Sequence, residues 1–149
     1  MHAVLIPTDG MPHRVEVEVD QFGSALRGLQ RLVGGNIDVF DALWEGSPSL
    51  YVNDEGLYEC EANRCIVATR EMEQAGYLNM FDFRTPAKEG RPFTVLFGDI
   101  VALGLDPETG EDRDVTPEEA DKVCEYFSSV QCGPGSGALQ LKCRGRLLR

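Results

Sequence analysis

Between Asp106 and Asp121, eight of sixteen residues are carboxylates: Asp106, Glu108, Glu111, Asp112, Asp114, Glu118, Glu119 and Asp121. Only Arg113 opposes them there. The 149-residue chain has a formal charge of -11, and this segment holds well over half of the excess. Clustered negative charge costs self-repulsion on folding, so the segment is either a solvated face or a working surface. Two kinds of work suit it. A row of carboxylates can dock a basic protein, and in its sharpest form it imitates DNA phosphates and occupies the groove of a DNA-directed enzyme. Oxygen-rich loops also bind calcium, and Asp106 to Asp112 contains suitable ligands and a glycine. It lacks the alternating ligand order and the twelfth-position Glu of an EF-hand, so no resident metal is expected.

A second constellation joins Asp9, Asn53, Asp54 and Asn63 as a polar pocket, with Asp54 and Glu55 as an acid/base pair. That arrangement suits a small-molecule-binding or hydrolytic domain. The competing reading is turn chemistry, because Asn53-Asp54-Glu55-Gly56 closes a strand and reverses the chain. The five cysteines, Cys60, Cys65, Cys124, Cys132 and Cys143, include no C-x-x-C pair, and His2 and His13 are the only histidines. Reduced thiols are expected, with no zinc and no other cofactor. Cys124 falls on an apolar helical stripe and reads as core. Cys132-Gly133-Pro134-Gly135-Ser136-Gly137 has no Gly-Lys-Ser/Thr ending and reads as a linker rather than a phosphate cradle.

Composition excludes other classes. Hydrophobic content of 42% and charged content of 26% are ordinary globular values. The acidic balance disfavours direct nucleic-acid binding and anionic membranes, both of which need Lys/Arg surfaces. No apolar run reaches membrane-spanning length, and the first residues lack the basic and long apolar regions of a signal peptide. A cytoplasmic setting is expected.

The elements that must position these residues follow from periodicity. His2 to Ile6 reads as a strand, and Arg14 to Val19 alternates as a half-buried strand paired with it. Phe22, Ala25, Leu26, Leu29, Leu32 and Val33 recur at helical spacing behind Asp20 as a cap, and Gly34-Gly35 stops that helix. Ile37 to Leu43 and Leu50 to Asn53 are strand-like. Ala62, Cys65, Ile66, Thr69 and Met72 form a helical stripe. Gly76 to Pro92 reads as a long loop. Thr94 to Phe97 and Ile100 to Leu103 are strands separated by the bend Gly98-Asp99. Thr116-Pro117-Glu118-Glu119 has the form of a capping box, and Ala120, Val123, Cys124 and Phe127 are the buried stripe of the helix it opens. The expected core joins Val15, Val17, Leu26, Leu29, Val33, Val95 and Val101 in one cluster. Together these predict an α+β domain over residues 1–130, with a small mixed or antiparallel sheet and about three helices packed on one face. Residues 131–149 read as a Gly-rich linker and a basic tail, loosely attached.

The order of segments resembles an uncharacterised family, a domain of unknown function in small proteins of bacteriophages, plasmids and bacterial mobile elements. The resemblance rests on Val4-Leu5-Ile6-Pro7-Thr8-Asp9-Gly10, on Leu29 to Asp38, on Leu50 to Gly56, on Asn63, on Phe97 to Val101 and on the capped helix from Thr116. It runs from about residue 2 to residue 127; Gly76 to Pro92 is longer than the family pattern. The resemblance implies a setting rather than a mechanism. The expectation is therefore a non-catalytic phage or mobile-element accessory protein. Its acidic segment would bind a basic host protein, most concretely a DNA-binding or DNA-cleaving defence enzyme.

Overall fold

Two apolar runs without polar interruption, Val4-Leu5-Ile6 and Ile100-Val101-Ala102-Leu103, explain the architecture. A strand sends alternate side chains to opposite faces, so an unbroken apolar run needs cover on both. The computed structural model, which describes residues 1–129, supplies that cover. Strands β1 (His2–Ile6) and β7 (Ile100–Leu105) pair antiparallel at the centre of a sheet. Strand β2 (His13–Glu16) flanks β1, and β4 (Ser49–Asn53) flanks β7 and carries β3 (Ile37–Phe40) as the far edge. The order is β2-β1-β7-β4-β3, all antiparallel. A two-residue strand, β8 (Asp112–Arg113), returns along the end of β7, setting Arg113 opposite Gly104.

On one face lies helix α1 (Leu26–Val33). Its Leu29 and Val33, four residues apart, pack on Ala3, Val17, Val101 and Leu103. The approach is close: a Cβ on Gly28 would sit 2.5 Å from the Glu18 carbonyl oxygen, so only glycine fits there. Gly34, at φ 81°, ends the helix in the left-handed conformation, its N–H donating to the Gln30 carbonyl. On the other face α4 (Pro117–Ser129) sets Ala120, Val123 and Phe127 against Val4, Ile6 and Ala102. Beside it, β5 (Ala62–Val67) and β6 (Pro92–Phe97) form a separate antiparallel pair. Helix α2 (Gly56–Glu59) leads into β5 and α3 (Arg70–Gln74) follows it, and Ile66, Met72, Phe93 and Leu96 join the same core. Among the described residues no helix is long and apolar enough to cross a membrane.

The α+β class and the antiparallel sheet are as expected, and of the four helices among the described residues α1 and α4 are the long ones. The helices do not share one face, however. The sheet is sandwiched, because both sets of alternating side chains in β1 and β7 are apolar. Residues 62–67 are a strand rather than a helix. Asn63, Arg64, Cys65 and Ile66 are consecutively buried, so neither period is visible, and the polar pair disguises an interior strand. The helix that follows starts at Arg70, where the Thr69 hydroxyl accepts the Met72 N–H at 3.2 Å.

Asp20 organises a turn, accepting the N–H groups of Phe22 and Ser24, and α1 begins only at Leu26. Phe22 and Leu26 are therefore exposed. The expected single cluster is also divided. Val17, Leu29, Val33 and Val101 pack together with Val15 beside them, whereas Val95 packs with Cys65 and Phe97 on the outer side of the β5–β6 pair. The Gly-rich linker and basic tail lie outside the described residues.

Candidate functional site

The β7–β8 turn and the start of α4 carry the acidic segment, and their hydrogen bonds divide the eight carboxylates into two sets. The Asp106 carboxylate accepts the Glu108 N–H at 2.9 Å, and its backbone carbonyl accepts the Gly110 N–H at 2.8 Å, which closes the turn. The Asp112 carboxylate accepts the Tyr51 hydroxyl of β4. Burial, then that hydrogen bond and the Asp112 charge, push the Tyr51 phenol well above its usual range. The Asp114 carboxylate accepts the backbone N–H of His2 at 2.8 Å, tying β1 to the approach to α4.

Glu119 is the most engaged of the eight. It accepts the Thr116 N–H at 3.0 Å while the Thr116 hydroxyl accepts its own N–H at 3.1 Å, completing the capping box. Its carboxylate also pairs with Arg113 at 2.7 Å and accepts the Ser47 hydroxyl. Burial works to raise its pKa, but the hydrogen bonds from Arg113, Ser47 and Thr116, with the Arg113 charge, overcome that and bring it down to about 2. Thr116→Ala is expected to cost about 1 kcal/mol, the usual worth of a helix cap, and urea unfolding would read it as a shift in midpoint at unchanged slope.

The other set faces water. Glu108, Glu111, Glu118 and Asp121 are exposed. The 3.5 Å contact of Asp121 with Arg14 joins two largely solvated side chains and adds little to stability. Glu118, Asp121 and Glu125 lie three and four residues apart, on one side of α4. That side borders a depression of about 720 Å³ whose apolar part is Trp44 and Tyr126. The Lys122 ammonium stands over the Trp44 ring, 5.9 Å from its centroid. Across Trp44 a second depression, of about 600 Å³, is bordered by Asp41, Glu45 and Glu71, with Met72 and Tyr77 in its wall. Trp44 is fixed edge-on against Tyr126 and Phe127, at 5.7 and 6.3 Å between centroids.

The sequence reading located the acids but missed this groove. Neither spacing nor periodicity singles out Trp44, Lys122, Glu125, Asp41, Glu45 and Glu71. The available signal was the sole tryptophan, placed in a loop between strands and flanked by Asp41 and Glu45.

Two of the four residues of the expected polar pocket, Asn53 and Asn63, have other engagements. The Asn53 side chain donates to the Val33 carbonyl at 3.2 Å and accepts the Glu55 N–H at 2.8 Å, joining the end of α1 to the turn after β4. The Asn63 amide donates to the Ile6 and Gly98 carbonyls, both at 2.8 Å, and its oxygen accepts from Arg64. Arg64, also unmarked in the sequence reading, donates onward to the Gly10 carbonyl at 3.1 Å. The two asparagines thus brace backbone, and Val33 and Gly98, whose carbonyls they hold, line one depression of about 370 Å³ with Thr8 and Asp99, while Asp9 and Asp54 are exposed. Cys124 is half-buried against the main core, and desolvation raises its thiol pKa.

The family model described as Domain of unknown function (DUF3846) matches residues 1–128. The chain belongs to this family. Neither a curated protein nor a solved structure matches it. The match closes within the last turn of α4, so the DUF3846 domain contains the whole sandwich, the capping box and every residue of the groove around Trp44.

Proposed function

We propose that this DUF3846 protein is a non-catalytic accessory protein of a phage or mobile element that binds a basic host protein through its acidic face. The observation that carries the reading is the exposed row Glu118, Asp121 and Glu125 on α4. The row needs none of its charges for the helix cap, which Thr116 and Glu119 supply. Solvated carboxylates with no structural duty still repel one another, so an opposing basic surface relieves that cost and is steered toward them. The mimicry version extends the row through Glu111 and Glu108 on the neighbouring turn, presenting successive charges to a groove that otherwise holds phosphates. The setting comes from the resemblance described above. Catalysis by Asp9, Asn53, Asp54 and Asn63 has less support, because both asparagine amides already serve as backbone braces.

The test replaces Glu108, Glu111, Glu118 and Asp121 by Gln or Asn and spares the acids that hold structure. Thermal stability is expected to change little. Capture of a host protein at about 0.05 M salt should be lost in the variant, and capture by the unaltered chain should weaken at about 0.5 M, where screening is short-ranged. Under mimicry, duplex DNA should compete the captured protein away. Undiminished capture by a folded variant would overturn the proposal.

A further inference from the structure

We infer that the two depressions flanking Trp44 form one seat for an arginine side chain from a basic peptide segment, and that Lys122 occupies the seat in the free protein. The inference rests on reading the acidic face as a docking surface, and it names the anchor and the chemistry of what docks. Six carboxylates border the two depressions, Glu118, Asp121 and Glu125 on one side of Trp44 and Asp41, Glu45 and Glu71 on the other, against the Lys122 ammonium in the lining and the Arg14 guanidinium that reaches Asp121 from β2 at 3.5 Å. Bare acidity would suit any cation. The aromatic floor is what selects. A guanidinium is planar and weakly hydrated, and it stacks on an indole face while its N–H groups reach carboxylates at the ring's edge. An ammonium makes the same attraction as a point charge and loses more hydration.

Lys122 shows that the ring already attracts a cation. Its Nζ lies 5.9 Å from the Trp44 centroid, inside the range of a cation–π contact. It is four residues from Glu118 on an exposed helix surface, so its flexible stem can swing away when a better cation arrives. Trp44 itself is less free to move, because Tyr126 and Phe127 hold it edge-on. The seat is therefore preformed, and the cost of filling it is mainly the displacement of one lysine.

The chain's single tryptophan is a built-in reporter. The full chain would be titrated with an oligo-arginine peptide and an oligo-lysine peptide of equal length, following Trp44 emission and calorimetric affinity. Oligo-arginine is expected to bind about tenfold more tightly and to change Trp44 emission. Trp44→Leu should remove that preference. Lys122→Gln, at an exposed position that leaves folding intact, should raise oligo-arginine affinity by about threefold or more. Arg27→Gln on α1, across the sheet, makes the same change in net charge and should have much less effect. Equal binding of both peptides with silent Trp44 emission, and equal gains from Lys122→Gln and Arg27→Gln, would overturn the aromatic seat yet leave an acidic docking face. Failure of both peptides to bind, to the unaltered chain and equally to one with Lys142, Arg144, Arg146 and Arg149 neutralised, would overturn the seat together with the docking face. Binding that requires neutralising Lys142, Arg144, Arg146 and Arg149 would overturn a partner in trans and assign the seat to the chain's own basic segment.

Discussion

Phe127→Ala is expected to lower the free energy of unfolding by about 3–5 kcal/mol, the loss typical of a buried phenylalanine. Phe127 is fully buried and is the largest side chain in the core to be so. It sits in the last part of α4, at the opposite end from the capping box, so it is the contact that holds the far end of the helix to the sheet. Its ring meets Tyr126 edge-on at 5.0 Å and Trp44 at 6.3 Å. Truncation would leave a cavity bordered by rigid rings and by the strand residues Val4 and Ile6, which have little freedom to collapse into it. The backbone carbonyl of Phe127, which accepts the Arg64 Nε–H at 3.3 Å, survives the substitution, so the loss measures packing alone. Denaturant unfolding with an unchanged slope would give the figure. A loss under about 1 kcal/mol would mean that the end of α4 is not anchored as described. The same variant should blur the Trp44 reporter, since one of the two rings that fix the indole is gone.

The parts of the fold that could be read from sequence are those whose determinants are local. The capping box needs only Thr116 and Glu119, and the structure pairs them as the spacing requires. The end of α1 needs only Gly34. Strands β1, β4 and β7 are marked by short β-branched and apolar runs. What failed was non-local. An unbroken apolar strand announces cover on both faces without saying which helix lies on which, so the pattern alone does not separate α1 from α4. The strand at β5 was hidden because Asn63 and Arg64 are buried by hydrogen bonding to distant carbonyls, which no periodicity reveals. The acidic segment shows the same limit. Its composition identified the eight carboxylates, but the partners that sort them lie far along the chain. Tyr51 is 61 residues from Asp112, Ser47 is 72 from Glu119, and the His2 N–H is 112 from Asp114. Only after those partners are subtracted does a smaller exposed row remain, and only the fold brings Trp44 beside it.

Glu119 gives the second large effect, and it depends on pH. Its carboxylate titrates near 2 in the folded protein against 4.5 for an unconstrained glutamate, so the folded state favours the ionised form. A depressed carboxylate stabilises the fold fully above its unfolded pKa and loses that contribution as pH falls through the folded one. The window is therefore about pH 5 down to about pH 2. Glu119 keeps 13% of its side chain exposed, but its partner Arg113 keeps 38%, so water screens the pair and the shift overstates its worth. Hydrogen bonds to a charged group of this kind contribute about 1–3 kcal/mol. Glu119→Gln should cost that amount at pH 7, because it removes the charge opposite Arg113 and weakens the acceptors for Ser47 and Thr116.

The difference between wild type and Glu119→Gln should then shrink steadily below about pH 5 as the wild-type carboxylate takes up a proton. A difference is needed rather than the wild-type curve alone. Asp82 is also held down to about 2, by the Thr85 hydroxyl and then the Thr85 and Arg84 N–H groups, and it titrates over the same window. That contribution is common to both proteins and cancels. Thermal unfolding of the two proteins at successive pH values would supply the comparison. A gap that stays constant from pH 7 to pH 3 would show that Glu119 matters for its shape and not for its charge. The link between Arg113, Ser47 and the start of α4 would then be held by packing instead.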